Sequence, residues 1–70
     1  MLQPGRYRHY KGKDYEVIDV ATHSETGEKM VVYRTLYGNY DLWVRPEAMF
    51  NELVDVDGLK VPRFRFIEPL

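Results

Sequence analysis

One short segment of the chain holds the three side-chain types of a hydrolytic site. His23, Ser24 and Glu25 supply an imidazole, a hydroxyl and a carboxylate, the groups that act as base, nucleophile and orienting acid in such sites. Their spacing argues against catalysis, because an extended chain directs His23 and Glu25 to one side and Ser24 to the other, and no glycine-flanked nucleophile turn is present. We interpret His23–Glu28 as a turn in which hydroxyl and carboxylate oxygens accept backbone N–H bonds.

A metal site would have to combine the two histidines, His9 and His23, with carboxylates such as Glu25 or Glu28. Two histidines without a cysteine match no metal-ligand motif. The five glycines are dispersed along the chain, so they form no phosphate-binding loop. The sequence therefore predicts a protein that is not an enzyme and that uses no cofactor or metal. A small hydrolase or metal enzyme centred on His23 is the least favoured alternative.

Aromatic and basic side chains offer a third kind of chemistry, since the chain has six Tyr, three Phe and one Trp. A surface with Trp43 as apolar anchor and Arg45 as partner of a carboxylate would dock a peptide or stack a base, with polar rim contacts from His23 and Glu25. The alternative is that so small a domain buries its aromatic residues, Trp43 included. The candidate binding residues are Tyr10, His23, Glu25, Tyr37, Tyr40, Trp43 and Arg45.

The elements that must position these side chains are predicted from alternation and turn residues. Met30–Tyr37 is the longest run of strand-favouring residues. It lies between His23–Glu28, where Gly27 suits a positive φ, and a second turn at Gly38–Asn39. The pattern predicts a central strand with a neighbouring strand on each side.

The next predicted strand runs from Leu42 to Arg45. Its alternation leaves two orientations open: the two aliphatic residues face inward with Trp43 outward, or the reverse holds because the indole anchors the core. Pro46 ends this strand, and its fixed φ suits the start of one short helical turn over residues 46–50.

Five further strands are predicted, two of them forming a hairpin around Asp57-Gly58. The strand Tyr15–Ala21 is partly apolar on both faces, so it either bends or is covered by other parts of the chain on more than one side. In the last strand the phenylalanines are expected to be buried and the arginines to lie in water. The segments are Arg6–Tyr10, Tyr15–Ala21, the hairpin Leu53–Val61 and Arg63–Ile67.

Short strands, tight turns and one helical turn within 70 residues predict an all-β fold. A single domain over residues 1–70 is expected, with the architecture of a small antiparallel barrel of the SH3-like kind. Closure of a barrel would remove the exposed strand edges of a flat sheet.

Charge and composition exclude several classes of protein. A net charge of −1 gives no overall field to attract nucleic acid or an anionic membrane. Basic residues nevertheless gather near both ends of the chain, where they either form one patch on paired strands or protect strand edges from aggregation. The absence of cysteine fits a reducing compartment, and no apolar run approaches the ~20 residues of a membrane helix. We predict a cytoplasmic protein without a membrane partner.

Several short sequence words occur in one order along most of the chain. They are Tyr7–Gly12, His23–Glu28, Leu36–Gly38, Trp43–Pro46 and Met49–Phe50. Together they resemble a family of short bacterial proteins known only as a domain of unknown function, and the resemblance covers nearly the whole chain. It implies a small β domain associated with an SH3-like barrel. It implies no activity, ligand or catalytic residue.

The function favoured by the sequence is a non-catalytic binding module that presents an aromatic and arginine face to a peptide or protein segment. The alternative is binding of single-stranded nucleic acid through the basic terminal strands and the tyrosines. The protein is expected to be a monomer, or a homodimer if exposed aromatic residues meet their own copies.

Overall fold

The computed structural model describes residues 2–70, and within them the chain alternates short strands with tight turns. In chain order the elements are β1 (Gly5–His9), β2 (Asp14–Thr22), β3 (Lys29–Thr35), β4 (Leu42–Pro46), α1 (Glu47–Phe50), β5 (Leu53–Val56), β6 (Leu59–Pro62) and β7 (Phe64–Glu68). The prediction of an all-β fold with one short helical turn is confirmed. No helix among these residues is long and apolar enough to cross a bilayer.

Five strands form one antiparallel sheet in the order β4-β3-β2-β1-β7, and β5 pairs with β6 as a separate hairpin. β3 has a neighbour on each side, as predicted for the central strand. The first and last strands pair, which places the basic ends of the chain together. Within residues 2–70, β4 and β7 each pair with only one other strand, so the small barrel-like fold is open between them.

Glycines at two hairpin turns adopt the backbone conformation that the sequence predicts. Gly27 has φ of 76°, and the turn closes with the His23 N–H donating to the Glu28 carbonyl at 2.8 Å. Asp57 and Gly58 both have positive φ, 52° and 84°, as the two central residues of a type I′ hairpin require. These turns set the register of the strands that they connect.

Strand β2 contains a bulge between Val17 and Asp19, where its register with β3 shifts. Val17 is fully buried, whereas Ile18 within the bulge is exposed. The predicted bend of this strand is therefore confirmed, and it accounts for apolar residues on both faces. A bulge bends the strand and increases its twist, which helps the sheet to curl around its core.

The core is mostly aromatic and lies on the concave face of the sheet. Phe50 from α1 stacks on Phe64 from β7, with ring centroids 4.1 Å apart and planes within 2°. Large rings contribute most of the apolar area that a chain this short can bury. The buried hydrophobic residues are Tyr7, Tyr15, Val17, Val31, Tyr33, Phe50 and Phe64.

The register of β4 decides between the two orientations predicted for it. Trp43 lies opposite Tyr33 and Arg45 opposite Val31, so both point to the core face and the orientation with an outward Trp43 is wrong. The indole packs edge-on against Tyr33, with centroids 6.0 Å apart. A large ring buries more area there than an aliphatic side chain would.

Two predictions for the last strand need correction. Phe66, expected to be buried, is 36% exposed, because β7 is an edge strand and the Phe66 ring packs edge-on against Tyr7 of the one neighbouring strand. Arg63, expected to lie in water, is half-buried and pairs with Glu52 at 2.8 Å. The backbone of Arg63 also donates to the Glu52 carbonyl, which draws this residue towards the hairpin.

Candidate functional site

The face of the sheet that carries the core is its inner face. At the β4 edge this face ends in a partly exposed group of side chains, which we call the aromatic-arginine face. Its members are Tyr15, Tyr33, Tyr37, Trp43 and Arg45.

Trp43 anchors the aromatic-arginine face and also remains accessible. Its ring centroid lies 5.9 Å from that of Tyr15 and 6.0 Å from that of Tyr33. The residue is 41% exposed. One side of the indole is therefore fixed on the core, and the other side is open for an apolar group to pack on.

Arg45 is positioned by aromatic groups and not by acids. Its Nε donates a hydrogen bond to the Tyr33 hydroxyl at 3.3 Å, and the guanidinium carbon lies 5.7 Å from the centre of the Phe64 ring. Among residues 2–70, no carboxylate lies within ion-pair distance of Arg45. A half-buried guanidinium of this kind is well suited to bind a carboxylate of a ligand.

Two tyrosine hydroxyls border the same face. The hydroxyls of Tyr15 and Tyr37 are hydrogen-bonded at 2.8 Å, and burial followed by this hydrogen bond raises the pKa of Tyr15. Tyr15 therefore stays protonated across the physiological range. The Lys13 ammonium lies 4.3 Å from the centre of the Tyr37 ring, which adds a positive charge to the border of the face.

His9 extends this cluster towards β1. Its ring lies 5.0 Å from Phe64 and 6.4 Å from Tyr15. Burial lowers the pKa of His9, and the nearby charges of Arg63, Arg45 and Lys11 lower it further. One of these cations, Arg63, is itself paired with Glu52 at 2.8 Å.

His9 was missed as a candidate binding residue, although its position on β1 contained a signal. The alternation of β1 places His9 on the same face as Tyr7, and the pairing of β1 with β7 puts it opposite Phe64. The first fact follows from the alternation of side chains alone. The second depends on a contact between distant parts of the chain.

The structure brings Trp43, Arg45 and Tyr37 together among the candidate binding residues. Tyr10 is an outer neighbour, with its ring 4.6 Å from that of His9. It lines a separate cavity of about 380 Å³ whose wall also includes Arg8, His9, Gly12, Val56, Val61, Pro62 and Arg65.

Tyr40 lies apart from the aromatic-arginine face. It occupies the turn before β4 with a positive φ of 53°, and its ring is exposed. Its carbonyl accepts a hydrogen bond from Arg34 at 2.7 Å, so its backbone stabilises the turn. No ring contact places its side chain with Trp43 in the described part of the chain.

His23 and Glu25 lie at the opposite end of β3 from Tyr37. The imidazole Nδ1 of His23 accepts hydrogen bonds from the N–H groups of Glu25 and Thr26, at 3.2 and 3.3 Å. The residues between this loop and Tyr33 span roughly 13 Å of strand at ~3.3 Å per residue. The structure thus supports the turn interpretation, with the histidine ring as the main acceptor, and does not join these residues to the aromatic-arginine face.

No group of three or more potential metal ligands of the His, Cys, Asp or Glu type occurs within residues 2–70. On the paired terminal strands, Arg6 and Arg8 both contact Asp14, whereas no acid among residues 2–70 lies within ion-pair distance of Arg65 on β7. On the separate hairpin, Lys60 lies 3.4 Å from Asp55.

Comparisons with known proteins give a family and one solved structure. Residues 5–66 match the model of DUF1653, a family described as proteins of unknown function. The chain is also similar to a crystal structure of a DUF1653 protein from Bordetella bronchiseptica, with 37% sequence identity and a TM-score of 0.89 over 99% of this chain and 91% of the other. No curated protein matches the chain.

Proposed function

The chain belongs to the DUF1653 family of proteins of unknown function, and we propose that it is a non-catalytic binding module. Its aromatic-arginine face docks a peptide or protein segment that carries a carboxylate beside an apolar side chain. The apolar group packs on the open side of Trp43, and the carboxylate binds the guanidinium of Arg45.

The observation that carries this proposal is the environment of Arg45. Its charge is held against Tyr33 and Phe64 without an acidic partner among residues 2–70. A partly desolvated charge is stabilised more by a partner than a charge in open water is. The Lys13 ammonium, 4.3 Å from the centre of the Tyr37 ring, further favours an acidic ligand.

Binding of single-stranded nucleic acid is the weaker alternative. Its basic residues would be those of the terminal strands, yet Arg6 and Arg8 are already bound to Asp14. They also lie on the opposite face of β1 from the ring of Tyr7. Phosphate contacts from Arg6 and Arg8 would therefore not fall on the aromatic-arginine face, where the rings of Tyr37 and Trp43 lie.

The proposal can be tested by selecting peptides of about nine residues from a random displayed library on the immobilised domain. Enriched peptides should share an acidic residue next to an apolar one. Trp43 is the sole tryptophan, so binding of a synthetic copy can be followed by its fluorescence. Failure to enrich any shared acidic motif would contradict the proposal.

Two arginine variants distinguish binding of the peptide at Arg45 from a general effect of removing one positive charge. Arg45→Gln should weaken the affinity for the selected peptide by about tenfold or more, because its carboxylate loses a charged partner. Arg34→Gln is the matched control, since Arg34 is on the same pair of strands but faces the other side, and it should change the affinity less than about twofold. Equal losses in the two variants would exclude a specific site at Arg45.

Salt dependence distinguishes the two ligand classes. Peptide affinity should fall by less than about tenfold between roughly 50 and 200 mM salt, because one ion pair is involved. A single-stranded oligonucleotide that bound with a steep salt dependence, and competed with the peptide, would favour the nucleic-acid alternative.

A further inference from the structure

Strand β4 is an edge strand whose protection against pairing is confined to its last two residues, the inward-facing Arg45 and Pro46. It hydrogen-bonds to β3 on one side, and no strand pairs with its other side within residues 2–70. Leu42 and Val44 are 54% and 61% exposed, and the segment from Leu42 to Val44 contains no charged residue. Natural proteins normally blunt such an edge with a lysine, a bulge or a proline, and here Pro46 stands only at its end.

The register of β4 shows which of its backbone groups are available. The Thr35 N–H donates to the Asp41 carbonyl at 3.0 Å, and hydrogen-bonded pairs alternate along an antiparallel ladder. Trp43 and Arg45, two and four residues beyond Asp41, therefore bond to β3. The N–H and C=O groups of Leu42 and Val44 point to the open edge, directly beside the aromatic-arginine face.

We propose that the bound segment adds to the sheet as an extra strand along the open edge of β4. This inference rests on the proposed function and defines its mode of binding. The backbone of Leu42 and Val44 supplies main-chain hydrogen bonds, and Trp43 with Arg45 reads the side chains on the inner face.

The geometry of a sheet specifies the sequence pattern of this partner. Trp43 and Arg45 are two positions apart on one face of β4, and directly opposed side chains have Cβ atoms ~4.5–5.5 Å apart. The partner therefore carries an apolar residue and an acidic residue two positions apart. The residues flanking the apolar one meet the exposed side chains of Leu42 and Val44 on the other face, so they are also apolar.

Charge complementarity favours a foreign segment over a second copy of β4. The sequence of β4, Leu42–Pro46, contains Arg45 and no carboxylate. Pairing two copies would bring two Arg45 guanidiniums to one face and leave both without an acid. An acidic extended segment satisfies the same backbone groups and neutralises the charge as well.

One pair of variants tests whether the backbone at the open edge of β4 binds the peptide. Val44→Pro removes the N–H that points to the open edge, and Val44→Thr keeps it and changes only an outward side chain. We expect Val44→Pro to weaken the affinity for the selected peptide by about tenfold or more, and Val44→Thr to weaken it by less than about threefold. Circular dichroism and melting of both variants establish that the domain remains folded.

A scan of the peptide tests the same inference without altering the protein. Methylating each peptide amide nitrogen in turn should weaken binding at every second position, because alternate N–H groups of an added strand face β4. A uniform effect, or an effect unrelated to this alternation, would overturn strand addition even if Val44→Pro does not fold.

The outcomes separate this inference from the proposed function. If Arg45→Gln weakens the affinity for the peptide but the methylation scan shows no alternation, the segment docks on the side chains alone and strand addition is wrong. If Arg45→Gln also has no effect, both are wrong. Sedimentation equilibrium adds one further result: a dimer that Val44→Pro converts to monomers without loss of peptide affinity would show that a second copy occupies the edge.

Discussion

The two faces of the five-stranded sheet hold their arginines in opposite environments. On the outer face, Arg6 and Arg8 each bind the Asp14 carboxylate, with Arg6 Nε and Arg8 Nε both 2.7 Å from its oxygens. On the inner face, Arg45 contacts Tyr33 and Phe64 and no acid among residues 2–70. The same side chain thus stabilises the fold on one face and is available to a ligand on the other.

Asp14 satisfies the charges of two arginines on the outer face. Hydrogen bonding from Arg8, opposed by burial and assisted by Arg6, lowers the pKa of Asp14 to about 2. The carboxylate is shared by two guanidiniums across the β1–β2 pair. The charges of Arg6 and Arg8 are therefore not expected to bind a ligand, whereas the inner face combines an unmatched charge with accessible aromatic rings.

The largest effect is expected where the inner face is fully packed. Phe50→Ala removes a ring that is 1% exposed and stacked on Phe64, so it should reduce the free energy of unfolding by ~3–5 kcal/mol. Urea denaturation measures this loss. The control is the exposed neighbour Met49→Ala, expected to change stability by less than about 0.5 kcal/mol; similar losses in both would mean that α1 does not anchor the core.

On the outer face, Asp14→Asn should destabilise the domain by about 1 kcal/mol, because two half-exposed guanidiniums lose their shared acid in a partly screened setting. The contribution of the ionised Asp14 is fully present above about pH 4 and is lost as pH falls through its folded pKa of about 2. Acid denaturation of the wild type and the variant should therefore converge at low pH. A constant difference down to about pH 2 would show that the ion pairs do not cause it.

A pH effect of the same sign, in a higher pH range, is expected from His9 on the inner face. Its folded pKa is lowered, mainly by burial and then by neighbouring cations, so the unfolded chain binds the proton more readily. Its contribution to stability is fully present above the unfolded pKa of ~6.5 and declines as pH falls through that value towards the lower folded pKa. Melting temperatures between about pH 7.5 and 5 should fall less in His9→Gln than in wild type, and Asp14→Asn should retain the wild-type decline.

The smallest effect on stability is expected at Arg45. Arg45→Gln should change the free energy of unfolding by less than about 0.5 kcal/mol, because the lost Nε contact to the Tyr33 hydroxyl is long, at 3.3 Å. Denaturation of Arg45→Gln beside Asp14→Asn compares the two faces directly. A loss at Arg45 as large as that at Asp14 would make both arginines structural.

Local features of the chain were predictable because local chemistry decides them. Gly27 and the Asp57-Gly58 pair fix two hairpins through positive φ, and Pro46 ends a strand where its ring cannot continue the ladder. The short helix follows from the same proline. These positions determine the order and type of the elements almost without reference to the rest of the fold.

Contacts between distant segments were not predictable in the same way. Alternation in β4 shows that Trp43 and Arg45 share a face, but only pairing with Tyr33 and Val31 shows that this is the core face. Likewise, residue types alone placed His23 at the binding surface, although its ring is used by its own turn. The structure thus brings together those candidate residues whose surroundings are set by one strand pair.

The pairing of β1 with β7 has a consequence for how the molecule assembles. Gly5 has φ of 142°, and a Cβ there would come within 2.5 Å of the Glu68 carbonyl, so this junction tolerates no larger residue. It also joins segments about sixty positions apart along the chain, whereas the β2–β3 and β5–β6 hairpins need only short loops. Because distant contacts carry the greatest entropy cost of loop closure, folding should begin at the hairpins and end when the first strand meets the last.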